Sequence, residues 1–520
     1  MSKEKREHWS GSLIFVLAAA GSAIGLGNLW KFPYITWKNG GGYFVILYLI
    51  CILGLGIPIM IAEIAIGKIT ARDPMGAMKM LAGSKSPFRF IGFMGVVGSF
   101  IILSYYSVVA GWATQYSVYA MDGTFAQVSQ QETQIILNNV DTQRTVLSKI
   151  MLNNEVKTVL QPAPIPVGAL ATQSLSLEEK NLYQTLKTQF PQLLAETEKN
   201  VVEARYSSNI FRRFLDRPWL LVFWHTLIMG ITMTIVLGGI RSGIEKSVQI
   251  AMPMLFLIIA VLVYNSMLLD TEFKTIKFLL HGDASKLTAH SILEAMGHAF
   301  FTLSIGMGVM MTYGSYMKKE SNVLTNSLWV VGMDTGIAIL ACLMIFPIIF
   351  VYGMNPESGG IGILFTTLPL ELKKFPMGDT LLILFYLLVV LAALTSAISL
   401  LEVVVTYLVD DRKISRKKAV LLASLLIYLG GLPSAFSVGG FLTYADNFTS
   451  QVLLPAGGLG IAIFMGYKMD LHLVKHEFEL HNMGKWHFTI FRFAIRYLAP
   501  VLVFGVLLQT LYLFIQEFTN

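Results

Sequence analysis

The chain has 520 residues, of which 54% are hydrophobic and only 14% are charged, and its mean hydropathy is +0.62. Soluble domains carry about a quarter charged residues, so this composition excludes an ordinary soluble protein and indicates one that crosses a membrane several times. The formal net charge of +7 does not indicate nucleic-acid binding, because the basic residues cluster beside apolar segments, where they set orientation.

The apolar segments provide about eleven transmembrane helices, because a helix needs roughly twenty residues to cross the hydrocarbon core. We predict these helices near residues 12–37, 43–69, 90–120, 218–239, 247–269, 291–317, 323–352, 379–408, 418–433, 439–467 and 488–515. Basic residues crowd the N-terminal tail and the connections at 68–89, 241–246, 318–319 and 412–418. These segments share one side if the N-terminus is cytoplasmic, which predicts a C-terminus outside.

The segment 121–217 is polar and interrupts this series of helices. It contains Pro162, Pro164 and Pro166, and Ser176 and Glu179 are spaced as a capping box at the start of a helix. The orientation predicts that the segment is extracytoplasmic. Its composition leaves a lid, a partner surface and a tolerated insertion open, and it favours the insertion.

Two glycine-rich stretches interrupt the apolar segments, Gly21–Pro33 in the first and Phe300–Gly308 in the sixth. Glycine in a membrane helix often indicates close helix packing. The alternative is a helix that breaks at mid-membrane, where freed carbonyl groups bind a cation and freed N–H groups bind an anion. Because the stretches lie five helices apart, they favour an all-α polytopic transporter of two five-helix inverted repeats with broken first and sixth helices.

The whole chain is therefore predicted to be one transporter domain over residues 1–520. Its first repeat covers 11–270 with the insert, its second repeat covers 290–468, and an extra helix follows at 488–515. The two cysteines, Cys51 and Cys342, lie in predicted helices and provide no disulfide framework. No nucleophile–base arrangement or phosphate-binding loop is evident, so we expect no enzymatic activity and no organic cofactor.

Several motifs along the chain are similar to those of the neurotransmitter:sodium symporter family. They are Arg6-Glu7-His8-Trp9, Gly21 to Pro33, Asn39-Gly40-Gly41-Gly42, Gly56-Ile57-Pro58, Phe301-Thr302-Leu303-Ser304, Leu394-Thr395-Ser396 and Leu453-Leu454-Pro455. The resemblance covers every predicted helix except the insert, and it points to the bacterial amino-acid transporters with eleven helices and the LeuT-type fold. It implies a bacterial inner-membrane symporter, a monomer or weak dimer, that moves two sodium ions and an L-amino acid by alternating access.

The resemblance implies a substrate site between the two broken helices. The N–H groups of Leu26 and Gly27 and the hydroxyl of Tyr106 would bind a carboxylate, and the ammonium group would contact Ala23, Phe301, Thr302 and Ser304. The side-chain pocket would be lined by Ile102, Phe301, Met307, Ser399 and Leu400. Monoamine-carrying relatives have an aspartate at the position of Gly25, so here the substrate should bring its own carboxylate. The pocket wall carries no charge, and we therefore expect a neutral, apolar L-amino acid.

Two sodium sites follow from the same resemblance. The first would use Ala23, Asn28, Thr302 and Asp334, and the second would use Gly21, Ile24, Ala392, Thr395 and Ser396. Carbonyl, hydroxyl and carboxylate oxygens suit a hard cation. Without the resemblance, the hydroxyls of Thr395 and Ser396 would be expected to bond back to their own helix.

Asp334 lies well inside the seventh predicted helix, where an ionisable residue is costly and usually functional. Many animal relatives have asparagine there and need chloride nearby, and His298 and Ala338 also depart from their chloride-binding pattern. A fixed carboxylate supplies the negative charge, so we expect chloride-independent transport. Glu63 matches a family glutamate that braces the broken first helix.

Two pairs of charges match the gates of the family. Arg6 with Asp410 would close the inner side, near Trp9 and Tyr316, and Lys31 with Asp446 would close the outer side. Lysine replaces the usual arginine and cannot make a bidentate pair, which predicts a weaker or water-mediated outer latch. Gly243 and Pro253 match a family device that unwinds the fifth helix.

Two other functions remain open from the sequence. A non-transporting amino-acid sensor would keep the binding site without needing gates, and the matching gate residues disfavour it. A proton-coupled carrier would use Glu402, and it predicts that a pH gradient alone drives uptake.

Overall fold

The computed structural model describes residues 7–125, 128–151, 175–352, 362–479 and 485–519, and each regular element within these ranges is a helix. Nine helices are long and apolar enough to cross a membrane: Gly42–Thr70, Arg89–Met121, Pro218–Leu237, Ile240–Met267, Val323–Val351, Gly378–Asp410, Arg416–Phe436, Val438–Lys468 and Trp486–Leu511. The bent pair Ser12–Ala23 and Gly27–Lys38 forms one further span, the first along the chain. The spans are numbered below in the order of the eleven predicted helices. The all-helical fold class is confirmed.

The sixth predicted helix is the one that the length criterion leaves out. It consists of Ala289–Thr302 and Val309–Gly314, and each half is too short to cross a membrane alone. Ten spans are therefore counted among the described residues, and the difference from the eleven predicted helices is the interrupted sixth segment. Further short helices on the connections are Pro74–Ala82, Lys274–Leu280 and Leu471–Glu479.

Both predicted helix breaks are present, and glycine conformation explains the second. The first span ends at Ile24, which is extended with φ −70° and ψ 101°, and the helix resumes with a bend of 58°. In the sixth segment the backbone has positive φ at Ser304 (52°), Gly306 (82°) and Gly308 (76°). A Cβ at Gly306 would lie only 2.3 Å from the carbonyl oxygen of Leu454, so this turn requires glycine for space as well as for conformation.

The described residues of Val118–Arg217 and Ile361–Leu382 form a second compact unit. Its helices are Gln130–Leu137, Val140–Ile150, Leu177–Gln189, Pro191–Leu215 and Leu368–Lys373. They enclose a small core of their own, made of Val146, Leu147, Ile150, Leu186, Leu194 and Val201. The predicted capping box is confirmed, because Ser176 N–H donates to Glu179 Oε2 (2.7 Å) and Glu179 N–H donates to Ser176 Oγ (3.1 Å). Pro162, Pro164 and Pro166 lie outside the described residues.

Candidate functional site between the two broken helices

A small cavity separates the break in the first span from the break in the sixth segment. Its volume is about 30 Å³, which is room for about two water molecules. It is lined by Ser22, Ala23, Gly25, Gly27, Asn28, Ile102, Tyr106, Phe301, Thr302, Ser304, Met307, Ser396 and Leu400. Nine of the eleven predicted substrate residues line it. The other two, Leu26 and Ser399, are hydrogen-bonded to the lining residues Tyr106 and Ser22.

The end of the cavity that is predicted to bind a carboxylate is built by the first span and the third. The N–H of Leu26 donates to the buried hydroxyl of Tyr106 at 3.4 Å, so both groups point to one place. A Cβ at Gly25 would lie 3.1 Å from Tyr106 Oη and 3.2 Å from Ser396 Oγ. An aspartate at this position would therefore crowd both hydroxyls, and no protein carboxylate occupies this end.

Ser22 is a cavity residue that the sequence reasoning missed. Its hydroxyl contacts Ser399 Oγ at 2.6 Å, and its carbonyl oxygen accepts hydrogen bonds from Ser304 Oγ (2.9 Å) and Ser396 Oγ (3.1 Å). The carbonyl is free for these hydroxyls because the helix ends one residue later. A serine in the last turn before a predicted break was the available signal.

The first predicted sodium site is assembled around Asp334, which is fully buried. Its Oδ1 accepts hydrogen bonds from Asn28 Nδ2 (2.7 Å) and Thr302 Oγ1 (2.9 Å). Its Oδ2 is buried and has no hydrogen-bond partner among the described residues. An unpaired buried carboxylate oxygen is costly, and a hard cation beside it would remove that cost, so the residues fit a sodium ion.

The second predicted site lies where the first span meets the eighth. Gly21 packs against Thr395, and a Cβ on this glycine would lie 3.3 Å from Thr395 Cβ. Both predicted hydroxyl ligands bond back to their helix, since Thr395 Oγ1 and Ser396 Oγ donate to Ala392 O at 3.1 and 3.2 Å. These hydrogen bonds agree with the alternative in which the two hydroxyls only bond to their own helix. They also allow a sodium site in which the hydroxyls turn towards a bound ion.

The carbonyl groups near the first break differ in their hydrogen-bond partners. Ala20 O still accepts the helical N–H of Ile24 at 2.7 Å, whereas Ser22 O accepts the hydroxyls of Ser304 and Ser396. Within the described part of the chain, the carbonyl groups of Gly21, Ala23 and Ile24 receive no hydrogen bond from outside the first span. These are the three carbonyls of the first span that the sequence-based prediction assigns to sodium; the fourth predicted carbonyl, that of Ala392, accepts the hydroxyls of Thr395 and Ser396.

Glu63 is fully buried in the second span and braces the sixth segment. Its Oε1 accepts the N–H of Gly306 at 2.6 Å. The family resemblance implies the broken first helix as the partner of Glu63. The hydrogen bond to Gly306 instead connects it to the break in the sixth segment. A buried acceptor there satisfies one of the backbone groups that the positive-φ turn leaves without a helical partner.

His298 lies beside the cavity in an aromatic environment. Its ring stacks on Phe32 with centroids 5.5 Å apart and lies 5.6 Å from the ring of Tyr48. Neither ring nitrogen has a hydrogen-bond partner among the described residues. Ala338, the other departure from the chloride-binding pattern, is also buried and offers no polar side chain.

The inner side of the cavity is closed by the N-terminal residues. Trp9 is 1% exposed, its Nε1 donates to Tyr313 O at 2.9 Å, and its backbone N–H donates to Tyr316 O at 3.0 Å. The carboxylate of Glu7 accepts the N–H of Ile240 (2.6 Å), and this hydrogen bond attaches the N-terminal segment to the start of the fifth span. These contacts close the side of the predicted site that the N-terminal residues cover.

The predicted inner ion pair of Arg6 and Asp410 falls partly outside the described residues, because Arg6 is not among them. The carboxylate of Asp410 accepts the N–H of Asp73 at 2.9 Å. Near it, Glu402 is fully buried and paired with Arg416 and Tyr316. Gly243 lies in a π-helical turn at Ile240–Glu245, and Pro253 lies inside the helix that follows, so the fifth span is wound here.

The predicted outer pair does not form a direct contact. No ion pair joins Lys31 and Asp446, both of which belong to the described residues. The ammonium group of Lys31 lies 5.4 Å from the centre of the Phe301 ring, and Asp446 accepts the hydroxyl of Tyr105 at 2.9 Å. Both charges line a second, larger cavity of about 350 Å³.

This arrangement of two broken helices around a cavity and a buried carboxylate can be compared with known proteins. The sequence model of the Sodium:neurotransmitter symporter family matches residues 6–159 and 211–519. The chain belongs to this family. An uncharacterized sodium-dependent transporter of Bacillus subtilis, YhdH, is 32% identical, over 98% of this chain and 98% of its own.

The relatives include a solved structure. The crystal structure of MhsT in complex with L-phenylalanine has a TM-score of 0.76 and 32% sequence identity, and the match covers 97% of this chain and 100% of MhsT. A human sodium- and chloride-dependent taurine transporter is more distant, at 27% identity over 78% of this chain and 61% of its own. Membership confirms the resemblance on which the sequence analysis relied, and it makes the chain a multi-pass, sodium-dependent symporter rather than an enzyme.

Proposed function

We propose that this symporter couples the inward movement of two sodium ions to the uptake of a neutral, apolar L-amino acid. The observation that carries the proposal is the unpaired Oδ2 of Asp334, whose Oδ1 is hydrogen-bonded to the cavity residues Asn28 and Thr302. The same cavity is lined by Tyr106, whose hydroxyl lies beside the N–H of Leu26. A cation and a carboxylate placed there would neutralise each other, and opposite charges attract more strongly in a buried site than in bulk water. The structure of MhsT with L-phenylalanine supports the same substrate class.

The substrate must widen the cavity in order to bind, since room for about two water molecules is less than an apolar side chain needs. Met307 is the wall residue best able to move, because methionine is unbranched and adapts to irregular shapes. Ile102, Phe301 and Leu400 complete an uncharged wall. This lining favours leucine-like or aromatic amino acids over acidic or basic ones.

Transport by this scheme is driven by the membrane potential and by the sodium gradient. Each charge that crosses the full potential contributes about 2.3 kcal/mol per 100 mV, so two ions contribute about 4.6 kcal/mol per 100 mV. We place the N-terminus on the cytoplasmic side, in keeping with the basic connections, and the C-terminus outside. The fixed charge of Asp334 is proposed to replace the chloride that some relatives require.

A proton-coupled mechanism through Glu402 has less support. Both of its carboxylate oxygens receive hydrogen bonds from the guanidinium of Arg416, at 2.8 and 2.7 Å, so the carboxylate is held as one half of an ion pair rather than facing an open cavity. The contacts of Trp9 with Tyr313 and Tyr316 support an inner gate, which a sensor would not need.

The deciding experiment is uptake into proteoliposomes that contain the purified full-length protein. Twenty L-amino acids are tested with an inward sodium gradient, with an equal potassium gradient, and with a pH gradient alone. We expect uptake of apolar amino acids only with sodium, and unchanged uptake when gluconate replaces chloride at constant sodium. Uptake driven by the pH gradient alone, or binding without uptake, would contradict the proposal.

A further inference from the structure

A basic and aromatic cluster lies where the tenth span ends and the eleventh begins. We define this interfacial cluster as Tyr467, Lys468, Arg492, Arg496 and Tyr497. Tyr467 and Lys468 are the last residues of the tenth span, Val438–Lys468. The other three lie in the first half of the last span, Trp486–Leu511, and they precede the apolar helix Ala499–Thr519, whose 21 residues are enough to cross the hydrocarbon core without them. The cluster therefore sits at the level of the membrane surface, where tyrosine and basic residues are commonly found.

Arg496 is the centre of this cluster. Its guanidinium carbon lies 4.9 Å from the centre of the Tyr467 ring and 5.6 Å from that of Tyr497, which are cation–π distances. The hydroxyl of Tyr467 donates to Arg496 O at 2.7 Å and thereby fixes the two spans together. At Gly466 a Cβ would lie 3.0 Å from Arg496 Cα, so the two backbones approach closely. The arginine is held in place rather than left to move freely.

The positive charge of the cluster is not balanced by the acidic residues near it. Lys468, Arg492 and Arg496 form no ion pair with any acidic side chain that the structure describes, and the Nε of Arg496 is buried without a hydrogen-bond partner there. Of the nearby acids, Glu477 is engaged by Lys68, and Asp470 accepts the N–H of His472. Within the described residues the Arg496 guanidinium therefore has neither a counter-charge nor an acceptor for its Nε, whereas most buried polar groups have a partner.

The surface beside the cluster is apolar and faces the lipid. Phe493 and Tyr497 are more than half exposed, and their rings lie 5.7 Å apart; Leu498 and Val501 extend the exposed surface towards the membrane centre. A ligand that fits both parts has a phosphate for the guanidinium and acyl chains for the apolar side. Arginine binds phosphate through two parallel hydrogen bonds, and basic pockets between transmembrane helices bind anionic lipid headgroups.

We propose that the interfacial cluster is a specific binding site for the phosphate headgroup of an anionic phospholipid. The lipid would cover Tyr467, Tyr497 and Phe493 with an acyl chain and place its phosphate at Arg496, with Lys468 and Arg492 as further positive charges. In doing so it would join the tenth span to the eleventh. The site is independent of the substrate cavity and of the proposed transport function.

The test is lipid binding to the purified full-length protein in detergent, read by native mass spectrometry and by thermal unfolding. Phosphatidylglycerol is compared with phosphatidylcholine of the same acyl chains and with inorganic phosphate. The variants are Arg496→Gln, which removes the central charge, and Arg496→Lys, which keeps the charge but loses the planar group. Lys417→Gln is the matched control, because Lys417 is exposed at the start of another span and has no tyrosine partner in the described structure.

We expect phosphatidylglycerol to bind and stabilise the wild-type protein and the Lys417→Gln variant equally. Arg496→Gln should bind it about fivefold more weakly, which corresponds to about 1 kcal/mol for one basic residue at a membrane surface. Arg496→Lys should be intermediate. Equal binding of phosphatidylcholine would overturn the proposal, as would equal losses in Arg496→Gln and Lys417→Gln. Stabilisation by inorganic phosphate alone would assign the site to a free anion and would also overturn it.

Discussion

The guanidinium of Arg416 holds the carboxylate of Glu402 through two parallel hydrogen bonds, Nη1 to Oε1 at 2.8 Å and Nη2 to Oε2 at 2.7 Å. The glutamate side chain is fully buried and the arginine side chain is 29% exposed. Tyr316 adds a hydrogen bond to Oε1 at 2.6 Å, and the backbone of the same tyrosine anchors Trp9. The pair therefore links the eighth and ninth spans to the residues that close the inner side.

Replacing Glu402 by Gln should destabilise this closed side. The change leaves the Arg416 guanidinium largely buried without its counter-charge, and we expect a loss of about 2–3 kcal/mol in the free energy of unfolding. Thermal unfolding of the detergent-solubilised protein measures the loss. The double variant Glu402→Gln with Arg416→Gln should recover part of it, because the orphaned charge is gone. Strictly additive losses would show that the two side chains do not interact energetically.

Replacing Asp334 by Asn should weaken sodium binding. The variant keeps an oxygen for Thr302 but removes the negative charge that faces the cation, and ligand charge is a main determinant of affinity at oxygen sites. We expect the sodium concentration for half-maximal uptake to rise by at least tenfold, about 1.4 kcal/mol. Asp379→Asn, a change at an exposed carboxylate, should leave it unchanged. Unaltered sodium dependence in Asp334→Asn would remove this residue from the proposed site.

A methyl group at Gly25 should impair uptake more than one at Gly230. The Cβ of Gly25→Ala would lie 3.1 Å from Tyr106 Oη and 3.2 Å from Ser396 Oγ, both of which line the cavity. Gly230→Ala is the matched control, since no atom lies within 4 Å of the corresponding Cβ. We expect a rise of about tenfold in the KM for the amino acid in the first variant and normal uptake in the second. Similar kinetics for the two variants would mean that Gly25 does not border the substrate.

Tyr106→Phe should lower substrate affinity without unfolding the protein. It removes one hydroxyl that the N–H of Leu26 contacts at 3.4 Å, while the buried ring stays in place. Loss of a hydrogen bond to a charged group costs about 1.5–3 kcal/mol, so binding should weaken by roughly 10-fold to 150-fold. Isothermal calorimetry at saturating sodium measures the affinity. Tyr428→Phe, which removes the hydroxyl that contacts Thr226 on the exposed surface, should bind normally; equal affinity in the two variants would contradict the assignment.

The sequence predicted the broken helices because their cause is local. Glycines at 21, 25, 27, 306 and 308 are visible in the chain, and hydrocarbon tolerates interrupted backbone only where protein or a cavity covers it. The cavity residues followed from the family motifs at the same positions. Ser22 did not, because its importance depends on the hydroxyls of Ser304 and Ser399, which come from two other segments.

Relationships between distant segments were the ones that sequence reasoning could not supply. The unit that contains the 121–217 insert also includes residues from 361–382, and neither stretch contains a sequence pattern that predicts this association. The role of Glu402 stayed open because its partner, Arg416, lies beyond a turn and belongs to the next span. The family resemblance pairs Lys31 with Asp446, yet each contacts an aromatic residue instead, Phe301 and Tyr105 respectively.

The 58° bend in the first span has a mechanical consequence. An unbroken rod that crosses the bilayer transmits any tilt from one face to the other, so both entrances would respond together. With extended backbone at Ile24, the inner half that carries Trp9 can pivot while the outer half keeps its packing. In the transport cycle proposed above, either entrance would then open through the movement of one half of the span, and the bound ions would face one compartment at a time.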